Sequence, residues 1–127
     1  MFFDFCFAST HDVDALVALE QQCFTLDRLS ARNFHWMISR ANAALIVAMS
    51  EEKLAGYALL LFHRGTSLAR LYSIAVSPAF RGHGLGQRLL DQAQACALQR
   101  NCAWLRLEVR PDNPAAIGLY EANGYQR

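Results

Sequence analysis

A strand pattern that leads through a glycine-rich loop into a long amphipathic helix constrains the fold of this 127-residue chain more than any other feature. Ser67 to Val76, rich in Leu, Tyr and Ile, predicts a strand that ends at Ser77-Pro78, because proline removes a ladder donor. From Leu85 to about Arg100, apolar residues recur at helical spacing, which predicts a helix with one buried stripe. The predicted stripe consists of Leu85, Leu89, Leu90, Ala93, Ala97 and Leu98.

The rest of the chain alternates between strand and helix patterns, and the full order is β, α, α, β, β, β, α, β, α. This order predicts an α+β fold, in which helices flank a mixed, mostly antiparallel sheet. The other predicted elements are a strand over Phe3 to Ala8, a helix from about Asp12 to Gln22 capped by Thr10, a helix from Ala31 to about Arg40 capped by Ser30, a hairpin of Ala44 to Met49 and Leu54 to His63, a half-buried strand over Ala103 to Val109, and a helix from Pro114, capped by Asn113 and ending near Asn123-Gly124.

Composition and charge narrow the class of protein. Apolar residues make up 54% of the chain, enough for a packed core, and residues 1–127 fit a single domain. The net charge of +1 gives no indication of nucleic-acid binding, and the apolar runs are too short to cross a bilayer. Because Met1 to Phe5 lacks the pattern of a signal peptide, we expect a cytoplasmic protein that does not bind membranes. The four cysteines form no CxxC pair and no histidine lies at zinc-ligand spacing, so we expect no metal.

The loop Arg81-Gly82-His83-Gly84-Leu85-Gly86 has the composition of an anion-binding site. Its glycines let the backbone bend and approach a ligand, the first N–H groups of the following helix point into the loop, and Arg81 adds a charged donor. Two common phosphate motifs do not fit: GxGxxG fails at Gln87 or Leu89, and the Walker A pattern fails because Gln87 follows Gly86. For this segment alone, a plain glycine-rich turn remains the alternative.

Further motifs follow the loop. Arg81-x-x-Gly84-x-Gly86 precedes Leu107-Glu-Val-Arg110, which precedes Asn113-x-x-Ala116-x-x-Leu119-Tyr120-Glu121-x-x-Gly124-Tyr125. In order and spacing, these motifs resemble those of the GNAT superfamily of acetyl-CoA-dependent N-acetyltransferases, and within it the RimI-type ribosomal-protein alanine N-acetyltransferases. The resemblance covers Leu71 to Tyr125 with specific motifs, whereas the first half of the chain matches only in its order of elements.

The resemblance implies a V-shaped splay between two central parallel strands, the one ending at Ile74-Ala75-Val76 and the one over Ala103 to Val109. The gap would admit the pantetheine arm of acetyl-CoA, and the glycine loop would hold its pyrophosphate. By the same resemblance, Glu108 accepts the amine proton through water, and Tyr120, a phenol with a pKa of about 10, protonates the departing CoA sulfur. The implied cofactor contacts are Ile74, Ala75, Val76, Arg81, Gly82, His83, Gly84, Leu85, Gly86, Gln87, Asn113 and Tyr120.

The residues leave structural alternatives open. Glu108 also fits an ion pair with Arg106 or Arg110, and Tyr120 also fits ordinary helix packing. Asn113 serves as a helix cap whether or not it contacts the cofactor. A second class of function therefore stays open, that of a non-catalytic acyl-CoA-binding sensor or regulatory domain of a larger protein.

The acceptor is predicted to be a primary amine, either a peptide N-terminus or a small amine. An α-amine has a pKa of about 7.7–8.0 and a lysine side chain one of about 10.4, so the α-amine loses its proton at a lower cost. The family normally continues past Gly124-Tyr125 with one or two strands, so this chain is either the N-terminal part of a longer protein or lacks its last strand. An unpaired sheet edge would favour a homodimer.

Overall fold

A computed structural model describes residues 1–40, 42–110 and 113–125 and confirms the predicted order of elements. None of the helices in these ranges is long and apolar enough to cross a membrane. The elements are β1 (Asp4–Phe7), α1 (Val13–Cys23), α2 (Ala31–Ser39), β2 (Ala43–Ser50), β3 (Lys53–Phe62), β4 (Leu68–Val76), α3 (Leu85–Gln99), β5 (Trp104–Leu107) and α4 (Pro114–Ala122).

The strands form one mixed sheet in the order β1-β2-β3-β4-β5. Neighbours from β1 to β4 are antiparallel, whereas β4 and β5 are parallel. The predicted hairpin of β2 and β3 is confirmed. The structure places β5 at the edge of the described sheet and not at its centre, so its outer side has no strand partner within the described residues. The homodimer predicted through such an edge stays a prediction.

Helices cover both faces of the sheet, and each face has its own buried cluster. α3 and α4 pack on one side, the α3 face, against Leu71 and Ile74 of β4. α1 and α2 pack on the other side, the α1 face, against Tyr57 of β3 and Ala75 of β4. Because successive side chains of a strand point to opposite faces, β4 contributes to both clusters.

Two of the predicted helix caps are confirmed and one is wrong. Ser30 and Asn113 cap α2 and α4, each by accepting an N–H of the first turn at 3.2 Å. Thr10, predicted as the cap of α1, lies instead in a short 3₁₀ turn before the helix. There the Asp12 carboxylate accepts the Ser9 N–H at 2.8 Å, so an acidic side chain fixes this turn in place of the threonine hydroxyl.

Two apolar residues predicted to be buried are exposed. Leu98 is 72% exposed, and Cys96 occupies a buried position on α3 instead. At about 100° per residue, the buried positions of α3 span an arc of about 140°, and Leu98 lies about 80° beyond it. Val109 is 44% exposed because β5 ends at Leu107, before the predicted alternation reaches it.

β4 and β5 pair only along the first half of β4. Their parallel register runs from Leu68 opposite Trp104 to Leu71 opposite Leu107, while β4 continues to Val76. The predicted splay between the two strands is therefore confirmed. It leaves the last residues of β4 next to a gap.

Candidate active site

The gap beside β4 opens into a cavity of about 530 Å³ at the N-terminus of α3, which we call the donor groove. β4, the glycine loop, the start of α4 and the end of α1 line it, so four separate segments of the sequence meet there. Two predicted cofactor contacts lie outside its lining: His83 is exposed, and Tyr120 lines another cavity. The predicted contacts that do line the donor groove are Ile74, Ala75, Val76, Arg81, Gly82, Gly84, Leu85, Gly86, Gln87 and Asn113.

The backbone of β4 directs hydrogen-bonding groups that pair with no strand of the described residues into the donor groove. Ser77 N–H donates to Ala55 O at 2.8 Å, so these two residues form a hydrogen-bonded pair next to the ladder of β3 and β4. Bonded and non-bonded pairs alternate in an antiparallel ladder, which leaves Ile74 and Val76 with N–H and C=O groups that point away from β3. β5 no longer pairs with β4 at that level. An extended ligand in the groove can therefore pair with Ile74 and Val76 as another strand would.

The glycine loop presents bare backbone to the same groove. Gly82 and Gly84 have φ of 85° and 72°, in the left-handed region that favours glycine, and a Cβ added at either would meet no atom within 4 Å. Gly84 is also the N-cap of α3, and no side chain of the described residues caps that helix. The first N–H groups of α3 are therefore left for an anion, and the open space above the glycines lets it approach.

Side chains of the predicted site contact the β4 carbonyls that face the groove. Asn113 Nδ2 donates to Ile74 O at 3.2 Å, and Arg81 Nε donates to Val76 O at 3.3 Å. Both donors approach from the groove side, in agreement with the direction derived from the ladder. Asn113 thus caps α4 with its oxygen and bridges to β4 with its nitrogen.

Sequence reasoning missed one wall of the donor groove, which the end of α1 supplies through Gln22, Cys23 and Phe24. These residues carry no local signal, because their contact with β4 and Arg81 follows from the packing of α1 on the sheet. The Cys23 thiol donates to Val76 O at 3.4 Å. Burial raises the pKa of Cys23, although the Arg81 guanidinium acts in the opposite direction. The thiol is therefore protonated at neutral pH and is not an activated nucleophile.

A second cavity, of about 880 Å³, follows the outer edge of β5, and both predicted catalytic residues line it. We call it the β5 groove. Tyr120 is buried on α4, and its hydroxyl has no hydrogen-bond partner within the described residues. Burial, and then Tyr125, raise the pKa of Tyr120 above its ordinary value, so the phenol keeps its proton at neutral pH. A ligand atom that accepts this proton would recover the cost of the unpaired group, about 1–3 kcal/mol.

Glu108 lies in an ion pair, but its partner is Arg70 of β4 and neither Arg106 nor Arg110. Arg70 Nε donates to Glu108 Oε1 at 2.8 Å, and Arg70 Nη2 donates to the same oxygen. The predicted alternative of an ion pair is thus correct in kind and wrong in partner. The side chains are 28% and 36% exposed, so the pair is open to solvent from the β5 groove.

A buried ion pair supports the α1 wall of the donor groove. Glu20 of α1 is fully buried, and it accepts hydrogen bonds from Arg110 Nη1 at 3.2 Å and from the Tyr57 hydroxyl. The Arg110 guanidinium also lies over the Phe24 ring, 3.9 Å from its centroid. Burial, and then Glu20, raise the pKa of Tyr57 well above its ordinary value. The pair therefore holds Phe24 against the segment that follows β5.

A mixed sheet that splays beside an uncapped helix, with a glycine loop between them, defines the acetyltransferase fold expected from the sequence motifs. The chain belongs to the acetyltransferase (GNAT) family, whose model matches residues 13–125. The predicted family and the predicted enzyme class, acetyl-CoA-dependent N-acetyltransferase, are thereby confirmed.

Two curated relatives differ in length. Over 115 residues the chain is 30% identical to a proposed ribosomal protein bS18-alanine N-acetyltransferase of Bacillus subtilis (strain 168). The alignment covers 91% of this chain and 75% of that protein. Over 119 residues it is 35% identical to an uncharacterised protein of Mycobacterium leprae (strain TN). That alignment covers 91% of this chain and 32% of that protein. The chain therefore spans about a third of the length of the mycobacterial relative.

Solved structures share the fold over almost the whole chain. The ribosomal-protein-S18-alanine N-acetyltransferase of Escherichia coli superposes with a TM-score of 0.83 at 29% identity, over 98% of this chain and 78% of that one. PaiA N-acetyltransferase of Thermoplasma acidophilum, solved in complex with coenzyme A, superposes with a TM-score of 0.88 at 17% identity, over 99% of this chain and 91% of that one. At that identity the second likeness concerns the fold alone.

Proposed function

We propose that this chain transfers an acetyl group from acetyl-CoA to a primary amine, with a peptide N-terminus as the preferred acceptor. The observation that carries the proposal is the donor groove, where one cavity is lined by an edge of β4 and by the N-terminus of α3, the first without a strand partner and the second without a side-chain cap among the described residues. Pantetheine is extended and carries amides that pair with a strand edge, whereas the pyrophosphate needs N–H donors. The two parts of the groove match these two parts of the cofactor.

Each part of the groove has a separate task in binding. Ile74 and Val76 pair with the pantetheine amides, and the Val76 N–H also donates to the thioester oxygen. The segment Gly82 to Gln87 holds the pyrophosphate with backbone N–H groups, and Arg81 adds a positive charge. Acetyl-CoA, when bound, supplies an acetyl group activated as a thioester.

Two residues of the β5 groove handle the protons. Glu108 accepts, through water, the proton that the amine loses as its nitrogen attacks the acetyl carbonyl. Tyr120 gives its hydroxyl proton to the sulfur as the carbon–sulfur bond breaks. The support for Tyr120 is that its hydroxyl is protonated at neutral pH, buried and unpartnered within the described residues. The support for Glu108 is its place in the same cavity as Tyr120.

A peptide N-terminus is supported by the cost of deprotonation and by the relatives. At neutral pH, an α-amine with a pKa of about 7.7–8.0 loses its proton at a cost about 3–4 kcal/mol lower than a lysine with a pKa of about 10.4. A base that acts through water suits the smaller cost. The Bacillus subtilis and Escherichia coli proteins are both named for acetylation of an alanine of ribosomal protein S18.

A thiol-release assay with acetyl-CoA and matched acceptors tests the proposal. The acceptors are a lysine-free peptide with a free N-terminal alanine, the same peptide with an acetylated N-terminus, an acetylated peptide with one lysine, and a small amine. We expect rapid release with the first acceptor only, and mass spectrometry places the acetyl group on its α-amine. Equal release with all the amines would contradict the acceptor preference.

Calorimetry with coenzyme A separates the two classes of function. Binding together with thiol release supports the enzyme. Binding without release from any acceptor would instead support the non-catalytic acyl-CoA-binding domain. Absence of binding would contradict the donor groove itself.

A further inference from the structure

The hydrogen bonds between Arg70 and Glu108 involve only one of the two carboxylate oxygens of Glu108. Two donors of Arg70, Nε at 2.8 Å and Nη2, both bond to Glu108 Oε1. In the part of the chain that the structure describes, Glu108 Oε2 has no hydrogen-bond donor. Arginine and carboxylate often pair instead through two parallel bonds, one to each oxygen, which would occupy both.

The register of the parallel strands explains why Arg70 is the partner. Arg70 lies opposite Arg106, so two like charges face each other across β4 and β5. The Glu108 N–H bonds to the β4 backbone at 2.9 Å, which brings the carboxylate diagonally beside Arg70. Arg110, two residues further along, is bonded to Glu20 at 3.2 Å. Glu108 is thus fixed by its backbone to β4 and by its side chain to an arginine of the same strand.

From this geometry we propose that Arg70 is a positioning residue, which holds Oε1 of Glu108 so that Oε2 stays fixed and free to take the acceptor proton through water. The proposal rests on the proposed function, in which Glu108 is the base. Glu108 is 36% exposed, so water and an acceptor reach the free oxygen. An unheld glutamate samples several rotamers, and a misplacement of about 1 Å costs up to about 100-fold in rate.

The test compares steady-state kinetics of Arg70→Met and Arg70→Lys with those of the unaltered chain, using acetyl-CoA and the alanine peptide. We expect Arg70→Met to lower kcat by about 10- to 100-fold, with the KM for acetyl-CoA unchanged. Arg70→Lys keeps one charged donor without the planar pair, so we expect it to restore part of kcat. Arg100→Met is the matched control, because Arg100 packs over the Phe62 ring on the α3 face, away from Glu108. It should leave kcat unchanged.

A double-mutant cycle separates positioning from a merely structural role. If Arg70 acts through Glu108, Arg70→Met in a Glu108→Gln background lowers kcat by less than about twofold further. An equal loss in both backgrounds, or a normal kcat for Arg70→Met, would overturn the proposal while acetyl transfer stands. A thermal midpoint that falls much further for Arg70→Met than for Arg100→Met, with a matching loss of kcat in both backgrounds, would reduce Arg70 to a structural residue. No thiol release from the unaltered chain with any acceptor would overturn the proposed function and this proposal together.

Discussion

The substitution Gly84→Ala tests the donor groove most directly. A second glycine, Gly65, has nearly the same backbone conformation but lies outside the groove, so it serves as the control. Gly84 is the N-cap of α3 and has a φ of 72°, and Gly65 lies in the turn between β3 and β4 and has a φ of 78°. A Cβ added at either residue meets no atom within 4 Å. The two substitutions therefore strain the backbone equally, while only one reaches the space where we place the pyrophosphate.

The expected effects on stability and on binding have different sizes. A left-handed alanine costs about 1–2 kcal/mol, part of which is offset because alanine restricts the unfolded chain, so each variant loses about 1 kcal/mol. For a domain of this size, that lowers the thermal midpoint by about 4 °C in both variants. At Gly84 the new methyl group also displaces the pyrophosphate from an N–H of α3. The loss of one charge-assisted hydrogen bond, about 1.5–3 kcal/mol, weakens coenzyme A binding by about 10- to 100-fold.

Titration calorimetry with coenzyme A, together with thermal unfolding, measures both effects in the two variants. We expect equal thermal midpoints for Gly84→Ala and Gly65→Ala, with weakened binding in Gly84→Ala alone. Gly84→Asp adds a negative charge at the helix N-terminus and should abolish binding. If Gly84→Ala binds coenzyme A within about twofold of Gly65→Ala, the pyrophosphate does not lie over this loop, and the assignment of the donor groove is wrong.

Three further predictions follow from groups that are buried and either paired or unpaired. Tyr120→Phe should lower kcat at least about tenfold in the thiol-release assay, and an unchanged kcat would show that Tyr120 is not the acid. The thermal midpoint of this variant should stay the same or rise, because the substitution removes a buried hydroxyl whose lack of a partner costs about 1–3 kcal/mol. Arg110→Met removes the ion-pair partner of the buried Glu20, so urea unfolding should show a loss of about 3–5 kcal/mol, and a loss below about 1 kcal/mol would contradict the buried pair. Burial raises the pKa of Tyr57 and of Tyr120, so the unfolded chain releases these protons first, and stability should fall as the pH rises above about 10, by up to about 1.4 kcal/mol per pH unit for each tyrosine. Tyr57→Phe should flatten this fall, and an unchanged slope of unfolding free energy between pH 9 and 11 would refute it.

Local signals predicted the fold well where one segment decides its own structure. Ser30 caps α2 and Asn113 caps α4 as predicted, since the cap and the N–H groups that it binds lie within one turn. The errors arise where the rest of the molecule decides. Leu98 is apolar and was predicted to belong to the buried stripe of α3, yet it lies outside the arc that α3 presents to the sheet. Val109 continues the alternation of β5, but the strand ends before it.

The residues of the site also fall into those that one segment determines and those that the rest of the molecule determines. The glycine loop could be predicted because its backbone geometry and its ligand contacts come from one contiguous segment. The wall formed by Cys23 and Phe24 could not, because α1 reaches the loop only through its packing on the sheet.

The partner of Glu108 shows most clearly what the sequence leaves undetermined. Along the chain, Arg106 and Arg110 are the nearest arginines on the same face, but residues two apart in a strand are separated by about 7 Å. Adjacent strands are about 4.8 Å apart, so a diagonal neighbour on β4 is closer, and the sheet order makes that neighbour Arg70. Two readings of Glu108, as a base and as a member of an ion pair, therefore do not exclude each other: Oε1 is held by Arg70, and Oε2 is left for the chemistry.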